Sequence, residues 1–263
     1  MERKLGRLPV LIAAVLAAAA SFGLRLHQLK NAYEIAADGE KRIIPGAASG
    51  FFTWFTVIMV VVFCIYACSL KKRKKFSALG GLSLPELVLS GAAVLLLLLG
   101  SVAMIASPEN PNSKVELLLG IGGLAAAFCW IGTALLRYRG SRPHVGLYLL
   151  PVLFFAAMLI VEFRIWSRDP AILDYCYDLF ALISVMLGLF YVGSFSLDRG
   201  RRRMAVFFLL CGLFFCAASI AGSRLRHCCI MGGTMLWMLL HLWRLLRPGR
   251  RQEQTEEAAE ETT

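Results

Sequence analysis

ELVLSGAAVLLLLLGSVAMIA, residues 86–106, contains one ionisable side chain, Glu86, at its first position. Coiled into a helix, these residues span roughly 30 Å. A bilayer's hydrocarbon core has about that thickness, so the segment has the length and composition of a membrane crossing. It shows no alternation of apolar and polar residues such as a barrel strand would need. Only a helix can then satisfy its backbone N–H and C=O groups in lipid.

The same reading extends along the chain. Of the 263 residues, 58% are hydrophobic, and the mean hydropathy of +0.67 is that of a lipid-solvated protein. Eight candidate spans emerge, at 8–24, 51–70, 86–106, 115–136, 146–166, 171–195, 204–223 and 228–246. The expected fold is therefore all-α, a polytopic transmembrane bundle over 1–251, followed by an acidic tail at 252–263. Ser83-x-x-Glu86 and Ser113-x-x-Glu116 read as capping boxes, with Pro85 in the first turn of the third span. Asp169-Pro170 opens the sixth span and Pro248-Gly249 stops the eighth. Arg224, Arg226 and His227 leave little chain between the last two spans, so a re-entrant hairpin is the alternative for the eighth. Residues 1–20 also have the layout of a cleavable signal peptide, the alternative for the first span.

Basic residues set the expected orientation. With a cytoplasmic N-terminus, the inner segments hold 19 of the 28 Lys and Arg, and the outer segments nine. Every connection follows this alternation, which places both termini in the cytoplasm. The net charge of +11 is then a membrane-surface property and not a nucleic-acid signal. Lys71, Lys72, Arg73, Lys74 and Lys75 are expected on anionic headgroups, at about 1 kcal/mol per cation. The tail, with five glutamates and no cation after Arg251, is expected to be solvated and disordered.

Candidate chemistry gathers where the fifth span ends and the sixth begins, at Glu162, Arg164, Arg168, Asp169, Asp174 and Asp178. Ionisable groups in membrane helices are costly and point to function. Asp174 and Asp178, four apart, share a helix face. Asp178 falls roughly 12 Å along its helix, a few ångströms below the outer boundary. Two readings follow. Glu162, Arg164, Asp174 and Asp178 form an outward polar pocket that takes a small solute or ion, or they are ion pairs beside headgroup water. Trp166, Tyr175 and Tyr177 fit an aromatic belt at the same level.

Five of the eight cysteines (Cys64, Cys68, Cys129, Cys211 and Cys216) lie within spans, where thiols pack as small apolar groups. No metal-ligand spacing, HExxH, GxSxG or phosphate-binding lysine loop is present, so no cofactor or catalytic site is implied. His241 reads as structural. The alanines of the first span and Gly120, Gly122 and Gly123 of the fourth allow close approach, which would place these two helices inside the bundle. Phe207, Phe208, Phe214 and Phe215 would then face lipid.

Leu26-His27-Gln28, Tyr33-Glu34, Asp38-Gly39 and Ile44-Pro45-Gly46, after an Ala-rich first helix, carry a loose resemblance over about the first 60 residues. In them the chain resembles uncharacterised multi-pass membrane proteins of anaerobic Gram-positive bacteria. The resemblance implies a bacterial plasma-membrane location and attaches no activity. Two functions are expected from different classes: binding or transport through the outward pocket, or a non-catalytic sensor or assembly component. The second would act through the Lys71–Lys75 loop and the tail.

Overall fold

The computed structural model describes residues 7–31, 33–35, 41–43, 47–71, 75–76, 79–106, 113–166 and 172–246. Eight helices lie among them, each long and apolar enough to cross a bilayer. They are α1 (Arg7–Asn31), α2 (Ala47–Ser69), α3 (Leu84–Ala106), α4 (Ser113–Tyr138), α5 (Gly146–Trp166), α6 (Ile172–Gly193), α7 (Arg202–Ile220) and α8 (Leu225–Leu245). The protein is thus a multi-pass membrane protein by its helices, and α8 is one continuous rod and not a hairpin. A short 3₁₀ turn, Ser194–Leu197, follows α6.

One helix end and one loop differ from the sequence reading. The first helix does not stop at residue 24 but continues through Leu26, His27 and Gln28 to Asn31. Its charged last turns interrupt hydropathy without interrupting backbone hydrogen bonding. Beyond it the chain makes a small antiparallel ribbon, β1 (Tyr33–Ile35) against β2 (Lys41–Ile43), with Glu34 opposite Arg42.

Each helix from α3 to α7 packs on its successor, and α8 returns to α3, so six helices close a ring. Helices α1 and α2 lie outside it, against α7. Because consecutive helices alternate in direction, the ring has a basic end and an opposite end. The basic end gathers Ser69, Leu84, Tyr138, Gly146, Gly193, Arg202 and Leu245. Arg203 Nε there donates to the Leu70 carbonyl at 2.7 Å, and Leu82 N–H to that of Arg137 at 3.2 Å.

The centre of the fold is not where small residues suggested. In the apolar window of α7, 72% of residues are buried, against 33% in α1 and 22% in α2. Phe214 and Phe215 are interior side chains, and Phe214 packs against Phe55 and Phe63 of α2 with ring centroids 5.9 and 6.2 Å apart. Phe207 and Phe208 are half-buried. Small residues govern how near two axes come, and not how many neighbours a helix has. On α1 the small side chains form one stripe, Ala14, Ala17, Ala18 and Ser21, and Ser21 Oγ donates to the Phe214 carbonyl at 3.0 Å.

Close approach is where the glycines act. A Cβ at Gly233 of α8 would stand 2.6 Å from the Ala93 carbonyl oxygen and 3.0 Å from the Leu97 nitrogen of α3. One at Gly120 would lie 3.0 Å from the Ser101 carbonyl oxygen. Buried hydroxyls bond within their own helices: Thr56 to Phe52 O, Ser101 to Leu97 O and Thr234 to Ile230 O, at 2.7–2.9 Å. Such back-bonding satisfies a hydroxyl where no water reaches.

The outer surface is oily. Trp54, Ile58, Val61 and Ile65 form an exposed stripe along α2, and Val88, Leu95, Leu99 and Val102 another along α3. Contiguous apolar surface on this scale fits hydrocarbon and not water.

Candidate functional site

Among the described residues, the buried charged side chains fall into two groups, one toward each end of the helices. At the end opposite the basic one, α1, α2 and α6 meet around Tyr177. Its ring stacks on Phe52 at 4.6 Å, tilted by 39°, and its hydroxyl lies 3.4 Å from that of Thr53. Arg25, only 5% exposed, places its guanidinium carbon 4.9 Å from the Tyr177 ring centre. The same guanidinium donates to Gln28 Oε1 at 2.7 Å. Arg25 and Gln28 sit here because α1 remains helical past residue 24 and its buried stripe carries on at the same spacing. Tyr175 and Tyr177 are buried and therefore do not form an interfacial belt.

Asp178 is half-buried on α6, close enough for its charge to act on Cys176 and on Cys216 of α7. Arg25 acts on Cys176 as well. Asp178 therefore shares its surroundings with an α1 cation that the sequence reading counted as a loop residue. Glu162 is half-buried and Arg164 exposed near the end of α5, a helix that packs on α6. Asp174 belongs to the first turn of α6, but its side chain lies outside the described residues, as do Arg168 and Asp169.

A second contact at this end joins the ring. Arg226 of α8 forms a two-pronged pair with Glu116 of α4, at 3.0 and 3.3 Å. Glu116, expected from the sequence to cap its own helix, is 1% exposed and is held by a cation of another helix. His227 bonds Ser219 at 2.8 Å.

The basic end holds more than surface anchors. Lys71 and Lys75 are exposed, while Lys72, Arg73 and Lys74 lie outside the described residues. Arg244 and Arg137, counted in the sequence only among the cations of the expected inner segments, are buried. Arg244 pairs with Glu86, whose Oε2 also accepts the Ser83 N–H at 2.7 Å and hydroxyl at 2.6 Å. The carboxylate half of the expected capping box is present, and that carboxylate doubles as an interhelical partner. Arg202 Nε donates to the Leu245 carbonyl at 2.8 Å.

Arg137 points across the ring. Its Nη1 lies 3.1 Å from His241 Nε2 and its Nη2 3.1 Å from the Leu79 carbonyl. Gly80, in the left-handed conformation at φ 59°, turns its carbonyl onto the same guanidinium at 3.4 Å. Arginine only donates, so His241 Nε2 accepts and its Nδ1–H donates to the Trp237 carbonyl at 2.9 Å. The imidazole is neutral and fully buried. Trp237 stacks on Trp130 at 4.6 Å with ring planes 4° apart.

Outside this layer Asp198 ties two loops together. It accepts the Phe76 N–H at 2.7 Å and the Arg142 guanidinium at 2.6 Å. Those two donors hold the Asp198 carboxyl below its ordinary value. All eight cysteines are free thiols. No family model, curated protein or solved structure matches the chain, and the sites are read on their own chemistry.

Proposed function

We propose that this protein binds a small solute or ion at the end opposite the basic one and carries it across a bacterial plasma membrane. Both termini are cytoplasmic in this reading. Nineteen of the 28 Lys and Arg then lie inside, and the polar group around Asp178 opens outward. The observation that carries it is the burial of Arg25 and Gln28 on α1, with the Arg25 guanidinium over Tyr177 of the helix that bears half-buried Asp178. Placing a guanidinium and a carboxamide there costs several kcal/mol, and a site of mixed charge is a physical reason to retain them. Asp178 and Glu162 are the groups that would hold a cation or proton. Arg25 and Arg164 would meet a negative group on a zwitterionic solute, and Asp174 extends the acidic face of α6. Anionic headgroups on the inner side would hold Lys71, Lys72, Arg73, Lys74 and Lys75.

Proteoliposomes loaded with a pH-sensitive dye, and a parallel set assayed with radioactive sodium, test this. Asp178→Asn and Glu162→Gln should each lower flux at least tenfold, while Lys71→Gln leaves it unchanged. Equal flux in all three and in the parent protein refutes the site. Reporter fusions at Lys75 and at the C-terminus test the orientation; periplasmic signal from either reverses it.

The exposure of Lys71 and Lys75 favours a second reading, a non-catalytic sensor or assembly component that meets a partner through this loop and the 252–263 tail. Pull-down lost on replacing the five basic residues by glutamine supports it. Pull-down that survives both this change and removal of the tail dismisses it.

A further inference from the structure

A groove runs along the seam between α1 and α8. Helix α1 packs on α7 through its stripe of small side chains and touches α8 only slightly. The space left between them holds two cavities. One, of about 630 Å³, lies between the early turns of α1, the start of α3 and the end of α8. The other, of about 370 Å³, continues it over α7. Val15 of α1 and Leu239 of α8 line both, so the two make one groove with a waist. Ile12, Val15 and Leu16 on its rim are exposed, and its open side therefore faces the bilayer.

Lining and dimensions decide what the groove can hold. Every side chain around the smaller cavity is apolar. Around the larger one the polar side chains are Ser83, Glu86 and the Trp243 indole, all at the basic end. Glu86 Oε2 is already engaged by both Ser83 donors. A tryptophan at such a level marks the headgroup boundary. Beyond it the lining offers nothing to orient a sugar, a nucleotide or an ion, which need convergent polar groups. From Leu11 to Phe22 the groove follows α1 for about 16 Å, and one leaflet of hydrocarbon is about 15 Å deep. Spread over the roughly 10 Å from Val15 to Phe22, 370 Å³ gives a cross-section of about 35 Å². A helix about 10 Å across would need roughly 80 Å². The groove therefore admits a hydrocarbon chain and excludes a helix of another protein.

We infer that the groove between α1 and α8 binds one acyl chain of a glycerophospholipid from the leaflet at the basic end. The headgroup sits beside Ser83 and Trp243, and the chain passes the waist at Val15 and Leu239 to end near Phe22. Lipid tails are as apolar as leucine, so escape from water supplies no affinity here. The gain is packing. A chain in the groove touches protein on several sides, whereas one on the convex surface touches it on one, and an unfilled groove forfeits those contacts. The bound chain joins α1 to the ring on the side where helix packing does not. None of Arg25, Glu162, Arg164, Asp174 and Asp178 lines either cavity, and the inference does not rest on the transport reading.

The test titrates the full-length protein, purified in dodecyl maltoside, with dioleoyl phosphatidylglycerol, read by native mass spectrometry and thermal unfolding. A first lipid should bind saturably, one per protein, and raise the unfolding midpoint. Val15→Trp closes the waist and Ala19→Phe fills the smaller cavity, both from exposed positions of α1. Each should raise the half-saturating lipid concentration about tenfold or more, the consequence of forcing side chain and ligand into one packed space. Ala20→Phe, exposed on the same helix and outside the groove, should bind like the parent. Dihexanoyl phosphatidylglycerol, whose chains end near the waist, should raise the midpoint less. The inference is overturned by equal lipid binding in the parent and both groove variants, by a midpoint that rises as much with added dodecyl maltoside alone, or by a second copy of the chain bound in place of the lipid.

Discussion

Replacing Arg244 by leucine would leave the Glu86 carboxylate, on a side chain 8% exposed, with the two Ser83 bonds and without its guanidinium. Removing one partner of a buried ion pair costs about 3–5 kcal/mol, mostly because the surviving charge remains desolvated. At roughly 2–4 °C per kcal/mol for a chain of this size, the unfolding midpoint should fall by about 6–20 °C. The double substitution Glu86→Gln with Arg244→Leu removes both charges. A carboxamide oxygen at position 86 still accepts the Ser83 N–H that Glu86 Oε2 takes at 2.7 Å. The double variant should therefore unfold well above Arg244→Leu, with a coupling of about 2 kcal/mol or more in the mutant cycle. Differential scanning fluorimetry in detergent, backed by denaturant titration, measures both. If Arg244→Leu lies within about 0.5 kcal/mol of the parent, below the usual cost of breaking such a pair, the pair does not join α3 to α8 as described. Strict additivity of the two single changes would refute the coupling.

Two further outcomes follow from the packing and the loops. Gly233→Ala should destabilise by about 1–3 kcal/mol, because its methyl meets α3 backbone that cannot yield. The adjacent Gly232→Ala, with Leu96 3.9 Å away, should be neutral in the same unfolding assay, and equal effects would contradict the α3–α8 crossing. Asp198 has a depressed carboxyl pKa, so its contribution is present above the ordinary value of 3.8 and is lost as pH falls through the depressed one. Limited pepsin cleavage beside Phe76 at about pH 4.5 should therefore be slow in the parent protein and fast in Asp198→Asn. The parent should become susceptible only at more acid pH, and cleavage equal in both at the higher pH would count against the loop clamp.

The spans were legible because the bilayer imposes length and polarity on each segment separately. The start of α3 could be read from Ser83 and Glu86, since a capping box is local. The end of α1 could not, because Arg25, His27 and Lys30 lower hydropathy while the helix they occupy continues. Central position was equally hidden: Phe214 of α7 reads as a lipid-facing residue until Phe55 and Phe63 are seen beside it. The site around Tyr177 was partly visible, with Asp178 of α6 named from the sequence, but Arg25 was absent from it. The cluster at the basic end was missed because a cation at the end of a span ordinarily snorkels to headgroups. Arg137 turns inward to His241, 104 residues away, and no local pattern announces that pairing. The one available signal was the lone histidine inside an apolar helix.

Ser21 on the first helix takes its acceptor from Phe214, 193 residues later in the chain. At synthesis rates of about 5–20 residues per second, the ribosome delivers that partner roughly 10–40 s after α1. Through this interval the polar edge of the nascent α1 has no seventh helix to lie against and must shelter within the insertion machinery or beside α2. Assembly of this bundle is consequently late: α1 meets its packing partner only when α7 arrives, and the ring closes only when α8 reaches α3. Truncated products of its gene that stop before residue 214 would be marked for quality control by the same unsheltered edge.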